Sequence, residues 1–327
     1  MSRRKAREIV SVDIGGTHAR FAIARIRPGK PTEIGEAVTL RTQDHASLVS
    51  AWEAFSRRTA KALPKAAAIC IAAQVDSETI KLTNSPWIIR TRTLAEDLGV
   101  EDLVLLNDFG AMAWAVSQLK PDQFEHICGP DEPVPPEGVV TVVGPGTGLG
   151  VAILIRQDDR TLVVETEGGH LDYAPLDRLE ASILDRLREK FLRVSTERVV
   201  SGPGLANIRD ALAAIEGVAY QPISDADLWA DAISGEDKLA KSALERFCLS
   251  YGAVAGDLAL AHGASAVVLI GGLSQRIRDQ LRSSEFATRF TAKGRFQNFM
   301  AKLPVRLAVH EQPGLLGAAA AFAAKAR

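Results

Sequence analysis

Residues 10–26 read VSVDIGGTHARFAIARI, and this stretch decides which kind of fold the chain supports. An apolar run ends in Asp13, a glycine turn follows, and a second apolar run completes the stretch. The pattern predicts two strands, residues 8–13 and 19–26, joined by that turn. The turn consists of Gly15, Gly16 and Thr17. Glycines let backbone N–H groups approach an anion without a Cβ atom in the way, although a tight hairpin without any ligand has the same pattern.

A stretch of the same form recurs at residues 141–156, TVVGPGTGLGVAILIR. It again reads as strand, turn and strand, and its turn contains Gly146, Thr147 and Gly148. The duplication predicts two related α/β domains that face each other, with a ligand site in the cleft between them. Two glycine loops can hold the two ends of a polyphosphate. The GxxxxGKS/T motif of a P-loop is absent, and the spacing and flanking strands are wrong for a Rossmann GxGxxG site.

Strand-like and helix-like segments alternate through the first third of the chain, which is typical of an α/β sheet. The segments predicted there are strands at residues 67–73 and 103–106 and helices at residues 46–63 and 110–119. Further along, we expect a loop at 129–138, a strand at 139–143, a helix at 234–264 capped by Ser234 with Asp237, a strand at 267–270 and a buried C-terminal helix.

The composition limits the class of protein. The chain has 327 residues, of which 46% are hydrophobic and 24% charged, and its formal net charge is −1. This length predicts two domains, and the charge excludes a general basic field for nucleic acid or anionic membrane. No apolar run approaches the ~18 residues of a membrane helix, and the short basic start is not a secretory signal. The three scattered cysteines (Cys70, Cys128 and Cys248) indicate reduced core thiols of a cytosolic protein rather than disulfides or a zinc site.

Asn107 and Asp108 follow a buried strand and precede a helix. An acid at the carboxyl end of a strand in an open α/β sheet faces the crevice where ligands bind. The alternative is that Asp108 is the helix N-cap, a position that aspartate fills well, and both roles can hold together.

Two further polar stretches are candidates for ligand contacts. In ETEGGH, residues 165–170, Glu167 and His170 flank two glycines, which fits a tight loop that aims both side chains at a ligand; the alternative is a solvated turn. In STERVVSGPG, residues 195–204, Glu197 precedes an apolar run and alone would be a surface acid on a helix.

Together these stretches resemble the bacterial ATP-dependent glucokinase family, from residue 12 to residue 317. The most specific motifs are EGGHLDYAP, STERVVSGPG and the closing PGLLG, in that order. The resemblance implies a two-domain α/β fold of the ribonuclease H-like, actin/hexokinase type with an interdomain cleft. It also implies a small domain of residues 1–118 plus 312–327 and a large domain of residues 119–311.

The resemblance also implies roles for individual residues. Asp108 matches the catalytic base. The residues that match hydrogen-bonding positions for the sugar hydroxyls are Asn84, Asn107, Asp108, Glu167, His170 and Glu197. The positions that match the ATP site are Asp13, Gly15, Gly16 and Thr17 in the first loop, Gly146, Thr147 and Gly148 in the second, and Gly271 and Gly272 beside the adenosine. Asp13 also matches the position near Mg²⁺.

The implied reaction is transfer of the γ-phosphate of ATP to the 6-hydroxyl of glucose, in a cytoplasmic homodimer. A ring of carboxylates, an amide and an imidazole suits a sugar with many hydroxyls. One alternative is a kinase for another hexose, such as fructose or mannose. Another is a sugar-sensing regulator or scaffold of the same fold, although only 12 residues precede Asp13, too few for a DNA-binding domain.

The sequence departs from the family pattern in three places. His18 stands where most members have Asn, and Ala73-Gln74 replaces the usual Cys-Pro or Gly-Pro. The loop of residues 84–87 keeps Asn84 and Trp87 but changes the two residues between them. Since this loop lies near the sugar in the family, substrate breadth is the property that these changes affect most.

Overall fold

The computed structural model describes residues 6–27, 30–59, 61–73, 75, 77–82 and 85–325. Its strands are β1 (Arg7–Ile14), β2 (His18–Ile26), β3 (Glu33–Ile34), β4 (Val38–Arg41), β5 (Ala66–Ile71), β6 (Thr79–Lys81), β7 (Ile88–Arg90), β8 (Asp102–Asn107), β9 (Phe124–Cys128), β10 (Gly138–Pro145), β11 (Leu149–Gln157), β12 (Arg160–Thr166), β13 (Ala266–Leu269) and β14 (Val305–Ala308). Its helices are α1 (Leu48–Arg58), α2 (Leu94–Asp97), α3 (Asp108–Val116), α4 (Arg178–Phe191), α5 (Gly204–Glu216), α6 (Asp225–Ser234), α7 (Lys238–His262), α8 (Gly272–Arg276), α9 (Arg278–Ser283), α10 (Phe286–Thr291), α11 (Gln297–Met300) and α12 (Pro313–Lys325).

The chain divides into two compact units. The first comprises residues 1–120 together with 310–327, and the second comprises residues 121–309. The domain boundaries implied by the resemblance, at 118 and 312, lie near these positions. None of the helices in the described part of the chain is long and apolar enough to cross a membrane.

The first unit is built on a sheet with the strand order β3-β2-β1-β5-β8, in which β4 also pairs with β2. The predicted hairpin is confirmed, because β1 and β2 pair antiparallel with Asp13 opposite Arg20. Strands β1, β5 and β8 run parallel, so Ile14, Ile71 and Asn107 end at the same edge. Polar residues that follow these strands are therefore gathered at one edge of the sheet.

Alternation along β1 and β5 sends side chains to two separate cores. Val12 and Ile69 point to one core, which α1 covers, whereas Ala68 and Cys70 point to the other. The C-terminal helix α12 covers this second face, as the apolar run at the end of the sequence predicts. Small residues let α12 approach closely, and a Cβ atom on its Gly317 would lie 1.7 Å from the carbonyl oxygen of Ala111 in α3.

The second unit repeats this arrangement. Its sheet has the order β12-β11-β10-β13-β14-β9, with β10 antiparallel to β11 and parallel to β13. The strands β12-β11-β10-β13-β14, antiparallel at first and then parallel, match β3-β2-β1-β5-β8 of the first unit, and β9 adds an antiparallel strand beside β14. The internal duplication inferred from the two glycine stretches is therefore a duplication of sheet topology.

The helix predicted at residues 234–264 is wrong at its start. Ser234 is the last residue of α6, because Gly235 adopts a left-handed conformation (φ 77°) that ends that helix. Helix α7 begins at Lys238, and its N-cap is Asp237, whose side chain accepts from the N–H groups of Leu239 and Ala240. The predicted capping pair therefore spans the end of one helix and the start of the next. The apolar face predicted for this helix is buried as expected.

Helix α4 is anchored by charged groups at its start. Asp177 caps the helix by accepting from the N–H of Glu180, and Arg246 donates to it at 2.7 Å. Arg289 contacts both Asp177 and the buried carboxylate of Glu180. These contacts tie α4 to α7 and α10, which carry the two arginines, and α4 is therefore a fixed support for the residues that follow it.

Candidate active site

The first glycine loop is held by hydrogen bonds to its own backbone and to a neighbouring segment. The N–H of Gly15 donates to the carbonyl of His18 at 2.9 Å. The hydroxyl of Thr42 donates to the carbonyl of Gly16 at 2.8 Å, and its N–H donates to the carbonyl of Thr17 at 3.0 Å. Thr42 is buried. The sequence did not indicate its role, because it is the pairing of β4 with β2 that brings Thr42 next to the loop.

Asp13 lies at the end of β1 with three neighbours around its carboxylate. Arg20 donates to its Oδ2 at 3.1 Å, and the thiol of Cys70 donates to its Oδ1 at 3.5 Å. Gly314, in the first turn of α12, lies so close that a Cβ atom there would be 2.6 Å from the carboxylate carbon. A carboxylate at a helix N-terminus is stabilised by the helix dipole. The Asp13 side chain is 15% exposed, so a ligand can still reach it.

Cys70 was predicted to be an ordinary core thiol, but the structure places it among the candidate site residues. Burial, together with the nearby charges of Asp13 and Asp108, raises the pKa of Cys70 well above its usual value. The sulfur therefore keeps its proton and can donate to the Asp13 carboxylate. In the strand register Cys70 is paired with Asp13, and the next residue, Ile71, is paired with Asn107, which Asp108 follows, so both acids lie at the same carboxyl edge of the sheet.

Asp108 is the first residue of α3, and it is Asn107 that caps the helix. The side-chain oxygen of Asn107 accepts from the N–H groups of Phe109 and Gly110, at 2.7 and 3.4 Å. The interpretation of Asp108 as the N-cap is therefore wrong, because Asn107 has the extended backbone (φ −67°, ψ 150°) that a cap requires. The amide of Asn107 also donates to the carbonyl of Ala73 at 3.2 Å, which fixes the start of the helix that presents Asp108.

Two positions singled out in the sequence, Asn84 and Gln74, lie outside the described residues. The neighbouring Trp87 is described and buried, and its indole N–H donates to the carbonyl of His45 at 2.8 Å. Trp87 is therefore fixed to the segment that carries His45.

The second glycine loop joins β10 to β11 through residues 146–148. The N–H of Gly146 donates to the carbonyl of Gly148 at 2.8 Å, and its own carbonyl accepts from Gly202 at 2.7 Å. A Cβ atom on Gly146 would meet nothing within 4 Å. The loop is thus supported from one side and open at Gly146, as a loop that receives an anion must be.

Glu197 lies directly against this loop. Its Oε2 accepts from the N–H of Leu149 at 2.9 Å, and a Cβ atom on Gly148 would lie 2.2 Å from the same oxygen. Glycine at position 148 therefore makes room for Glu197. The sequence grouped Glu197 with the sugar contacts only by resemblance, and the structure brings it to the phosphate-loop candidate as well.

The segment that carries Glu167 and His170 is joined to the segment that carries Glu197. A 3-10 helix, Gly168–His170, follows Glu167, and the Nε2 of His170 lies 4.0 Å from the Oε2 of Glu167. The hydroxyl of Thr196 donates to the carbonyl of Gly169 at 2.7 Å. The side chains of Glu167 and His170 are more than half exposed, at 60% and 57%. The predicted polar residues of the second unit therefore form one group.

Gly271 and Gly272 follow β13, the parallel neighbour of β10. Gly271 has φ 100°, a conformation that only glycine adopts readily, and a Cβ atom on it would lie 3.7 Å from the carbonyl oxygen of Pro145. These glycines and the second glycine loop are thus at the same sheet edge. Beside Gly272 there is open space, since a Cβ atom there would meet nothing within 4 Å.

The residues present fit a weakly held magnesium ion better than a closed metal centre. Among the described residues, no group of three or more His, Cys, Asp or Glu side chains could hold a metal. Mg²⁺ in phosphoryl-transfer sites is bound through one or two carboxylates, water and the substrate phosphates. The partly exposed carboxylate of Asp13, beside the first glycine loop, is a donor of this kind.

Comparison with known proteins agrees with this geometry. The sequence model of the glucokinase family matches residues 10–325. A glucokinase from Zymomonas mobilis is 57% identical over 318 residues, which cover 97% of this chain and 98% of that protein. The crystal structure of a glucokinase from an Antarctic psychrotroph has a TM-score of 0.85 and 32% identity, over 96% of this chain and 98% of that one.

A ROK-family glucokinase from Streptomyces griseus, solved in complex with glucose and AMPPNP, has a TM-score of 0.58. It is 21% identical and is covered to 98%, against 95% of this chain, so the likeness concerns the fold. The α/β fold class predicted from the sequence is confirmed by these structures.

Proposed function

The chain belongs to the glucokinase family, and from this premise we propose that it transfers the γ-phosphate of ATP to the 6-hydroxyl of glucose. The products are glucose 6-phosphate and ADP. The observation that carries the proposal is that Asp13, near the end of β1, and Asp108, directly after β8, lie at the same carboxyl edge of the sheet, where the first glycine loop begins. Asp13 lies beside the first glycine loop, and Asp108 is the first residue of α3.

In this reaction the protein mainly positions the reactants and neutralises charge. Asp108 accepts the proton of the sugar 6-hydroxyl as its oxygen attacks the γ-phosphorus. A general base of this kind contributes ~10²–10⁴-fold to the rate. Asn107 caps α3 and thereby holds the helix start that carries Asp108, and we propose that its amide also donates to the sugar.

The glycine loops supply backbone N–H groups for the phosphates. Residues 15–17 in the first unit and residues 146–148 in the second each present a turn with glycine at the anion-facing positions. Asp13 would hold Mg²⁺, which would supply positive charge to neutralise the phosphates. Gly271 and Gly272 leave room for the nucleoside.

We propose that the sugar hydroxyls are bound by the polar side chains that match sugar-binding positions of the family: Asn84, Asn107, Asp108, Glu167, His170 and Glu197. Carboxylates accept from sugar hydroxyls, and the amide and imidazole can both donate and accept. A sugar that lacks one of these hydroxyls leaves a polar group unpaired, which selects against it.

We also propose that the enzyme is a cytoplasmic homodimer. All three cysteines are free in the structure, which agrees with a reducing compartment. Light scattering coupled to size-exclusion chromatography tests the dimer, and a mass of a single chain would contradict it.

The test is a coupled assay for glucose 6-phosphate with wild type, Asp108→Asn and a matched control, Asp102→Asn. Asp108 directly follows β8, whereas Asp102 is the first residue of β8, where it pairs with Arg7 and is 57% exposed. We expect Asp108→Asn to lower kcat by ~10²–10⁴-fold and Asp102→Asn to leave it near wild type. Product formation that is unchanged in Asp108→Asn contradicts the proposed base.

The same assay separates the alternatives when it is run with glucose, mannose, fructose and N-acetylglucosamine, and with ATP and polyphosphate. Turnover of another hexose would retain the mechanism and change the substrate. Glucose binding without turnover of any sugar would favour a sensor or scaffold of the same fold.

A further inference from the structure

The chain makes a strained turn immediately after α4. Leu192 has φ 58° and ψ −67°, and the N–H of Arg193 donates to the carbonyl of Phe191 at 2.6 Å. A hydrogen bond over three residues with these angles is a γ-turn of the positive-φ form, which is rare and strained. Leu192 is 90% exposed, so no hydrophobic burial of its side chain offsets the strain. Backbone strain of this kind persists where the surrounding structure requires it, commonly beside functional sites.

The turn directs Arg193 to the loop that carries Glu167 and His170. The Nη2 of Arg193 donates to the backbone carbonyl of His170 at 2.7 Å, and its Nε lies 2.8 Å from the Oδ1 of Asp172. The planar guanidinium thus holds two positions of one segment at once, which a flexible ammonium group cannot do in the same way.

The backbone after Arg193 continues the attachment. The carbonyl of Val194 accepts from the N–H of Tyr173 at 3.0 Å, and the N–H of Thr196 donates to the carbonyl of Leu171 at 2.8 Å. Residues 193–196 are therefore tied to residues 170–173 by a series of hydrogen bonds. The first of them along the chain is the bond from the Arg193 side chain to the carbonyl of His170.

The contact contributes little to global stability. The side chains of Arg193 and Asp172 are 63% and 75% exposed, and ion pairs this exposed contribute almost nothing to folding. The ion pair therefore contributes too little to the free energy of folding to offset the strain of the turn. The carbonyl of His170, in contrast, is part of the loop that presents two proposed sugar ligands.

We propose that Arg193 is a positioning residue for this sugar-binding loop and that the γ-turn at Leu192 aims it. The inference rests on the proposed sugar contacts of Glu167 and His170. Arg193 acts on the sugar through these residues, so its loss affects sugar binding and leaves the nucleotide contacts in place.

The test compares Arg193→Ala and Arg193→Lys with Arg188→Ala. Arg188 is a matched control, because it lies in α4, is 59% exposed and pairs with Asp185 at 3.2 Å without touching the loop. We expect Arg193→Ala to raise KM for glucose by about 10- to 100-fold, as a small displacement of a binding group can, with little change in KM for ATP or in Tm. Arg193→Lys restores part of the affinity, and Arg188→Ala behaves as wild type.

Hydrogen exchange across residues 167–173 is the second measurement, and it does not depend on turnover. We expect faster exchange in Arg193→Ala than in wild type or Arg188→Ala. An unchanged KM for glucose together with unchanged exchange in Arg193→Ala would overturn the proposal. If wild type phosphorylates no sugar, the proposed function fails, and the exchange measurement by itself still decides whether Arg193 positions the loop.

Discussion

The thiol of Cys70 donates a hydrogen bond to the carboxylate of Asp13, with 3.5 Å between Sγ and Oδ1. The two residues are directly paired in the parallel register of β1 and β5, and their side chains point to the same face. The thiol also lies 3.6 Å from the carbonyl of Gly314 in α12. Cys70 thus connects the proposed metal-binding acid to the helix that closes this face of the sheet.

This environment predicts that Cys70 is chemically inert in the folded protein. The thiolate is the reactive form, and burial with two nearby carboxylates raises the pKa of Cys70. Burial also raises the pKa of Cys128 and that of Cys248 to about 12 each. We expect Ellman's reagent at neutral pH to react very slowly with native protein and to titrate all three thiols after denaturation. Rapid reaction of one native thiol would contradict this assignment.

Substitution by alanine is expected to affect the two glycines of the second loop differently. A Cβ atom on Gly148 overlaps the Oε2 of Glu197, which also accepts from Leu149, whereas a Cβ atom on Gly146 meets nothing. We expect Gly148→Ala to displace the carboxylate and lower the unfolding free energy by about 1–3 kcal/mol. Gly146→Ala should leave the stability of the ligand-free protein near wild type. Chemical unfolding of both variants without ligand provides the measurement, and equal losses would contradict the predicted overlap.

Because the turn at Leu192 is strained, replacing this residue by glycine is not expected to lower the unfolding free energy. Leu192→Gly allows φ 58° without a Cβ penalty, and little burial is lost because the side chain is 90% exposed. We expect its unfolding free energy to equal or exceed that of wild type by up to ~2 kcal/mol. The control, Leu162→Gly, changes another exposed leucine, inside β12, and should cost ~0.5–1 kcal/mol. Similar losses in both variants would mean that the turn is not strained.

The burial of His310 predicts that the protein becomes less stable in mild acid. Its Nδ1 accepts from the N–H of Gln312 at 3.0 Å, and burial lowers its pKa, with a smaller opposing effect of Glu311. Since the folded pKa lies below the unfolded value of about 6.5, the unfolded chain binds the proton first as the pH falls. This contribution is therefore complete above about pH 6.5 and is lost progressively below it.

His310→Asn retains an acceptor for the Gln312 N–H and removes the titration, so its stability should vary less with pH. His262 is a second case, because burial lowers its pKa while its Nδ1 lies 2.9 Å from the hydroxyl of Thr141. Urea unfolding across about pH 5 to 8 measures both effects. A pH dependence in His310→Asn as steep as that of wild type would show that His310 does not contribute.

Local rules were sufficient for much of the fold. The two glycine hairpins, the buried strands beside them and the apolar C-terminal helix follow from side-chain periodicity and from the conformational freedom of glycine, both of which operate over a few residues. The errors were local choices between similar residues. Asn107 and Asp108 both cap helices well, and only the backbone angles decide between them. Ser234 resembled a cap until Gly235 ended the preceding helix.

The sequence by itself determined the fold class and the family, because motif spacing and alternation are properties of neighbouring positions, and the family resemblance supplied most of the candidate site residues. Only the tertiary structure decided which supports hold them: Cys70 beside Asp13, Thr42 under the first glycine loop, Glu197 under Gly148 and Arg193 against His170. Each of these contacts joins residues far apart in the chain. Strand register and close packing bring them within hydrogen-bonding distance, and neither leaves a local signal in the sequence.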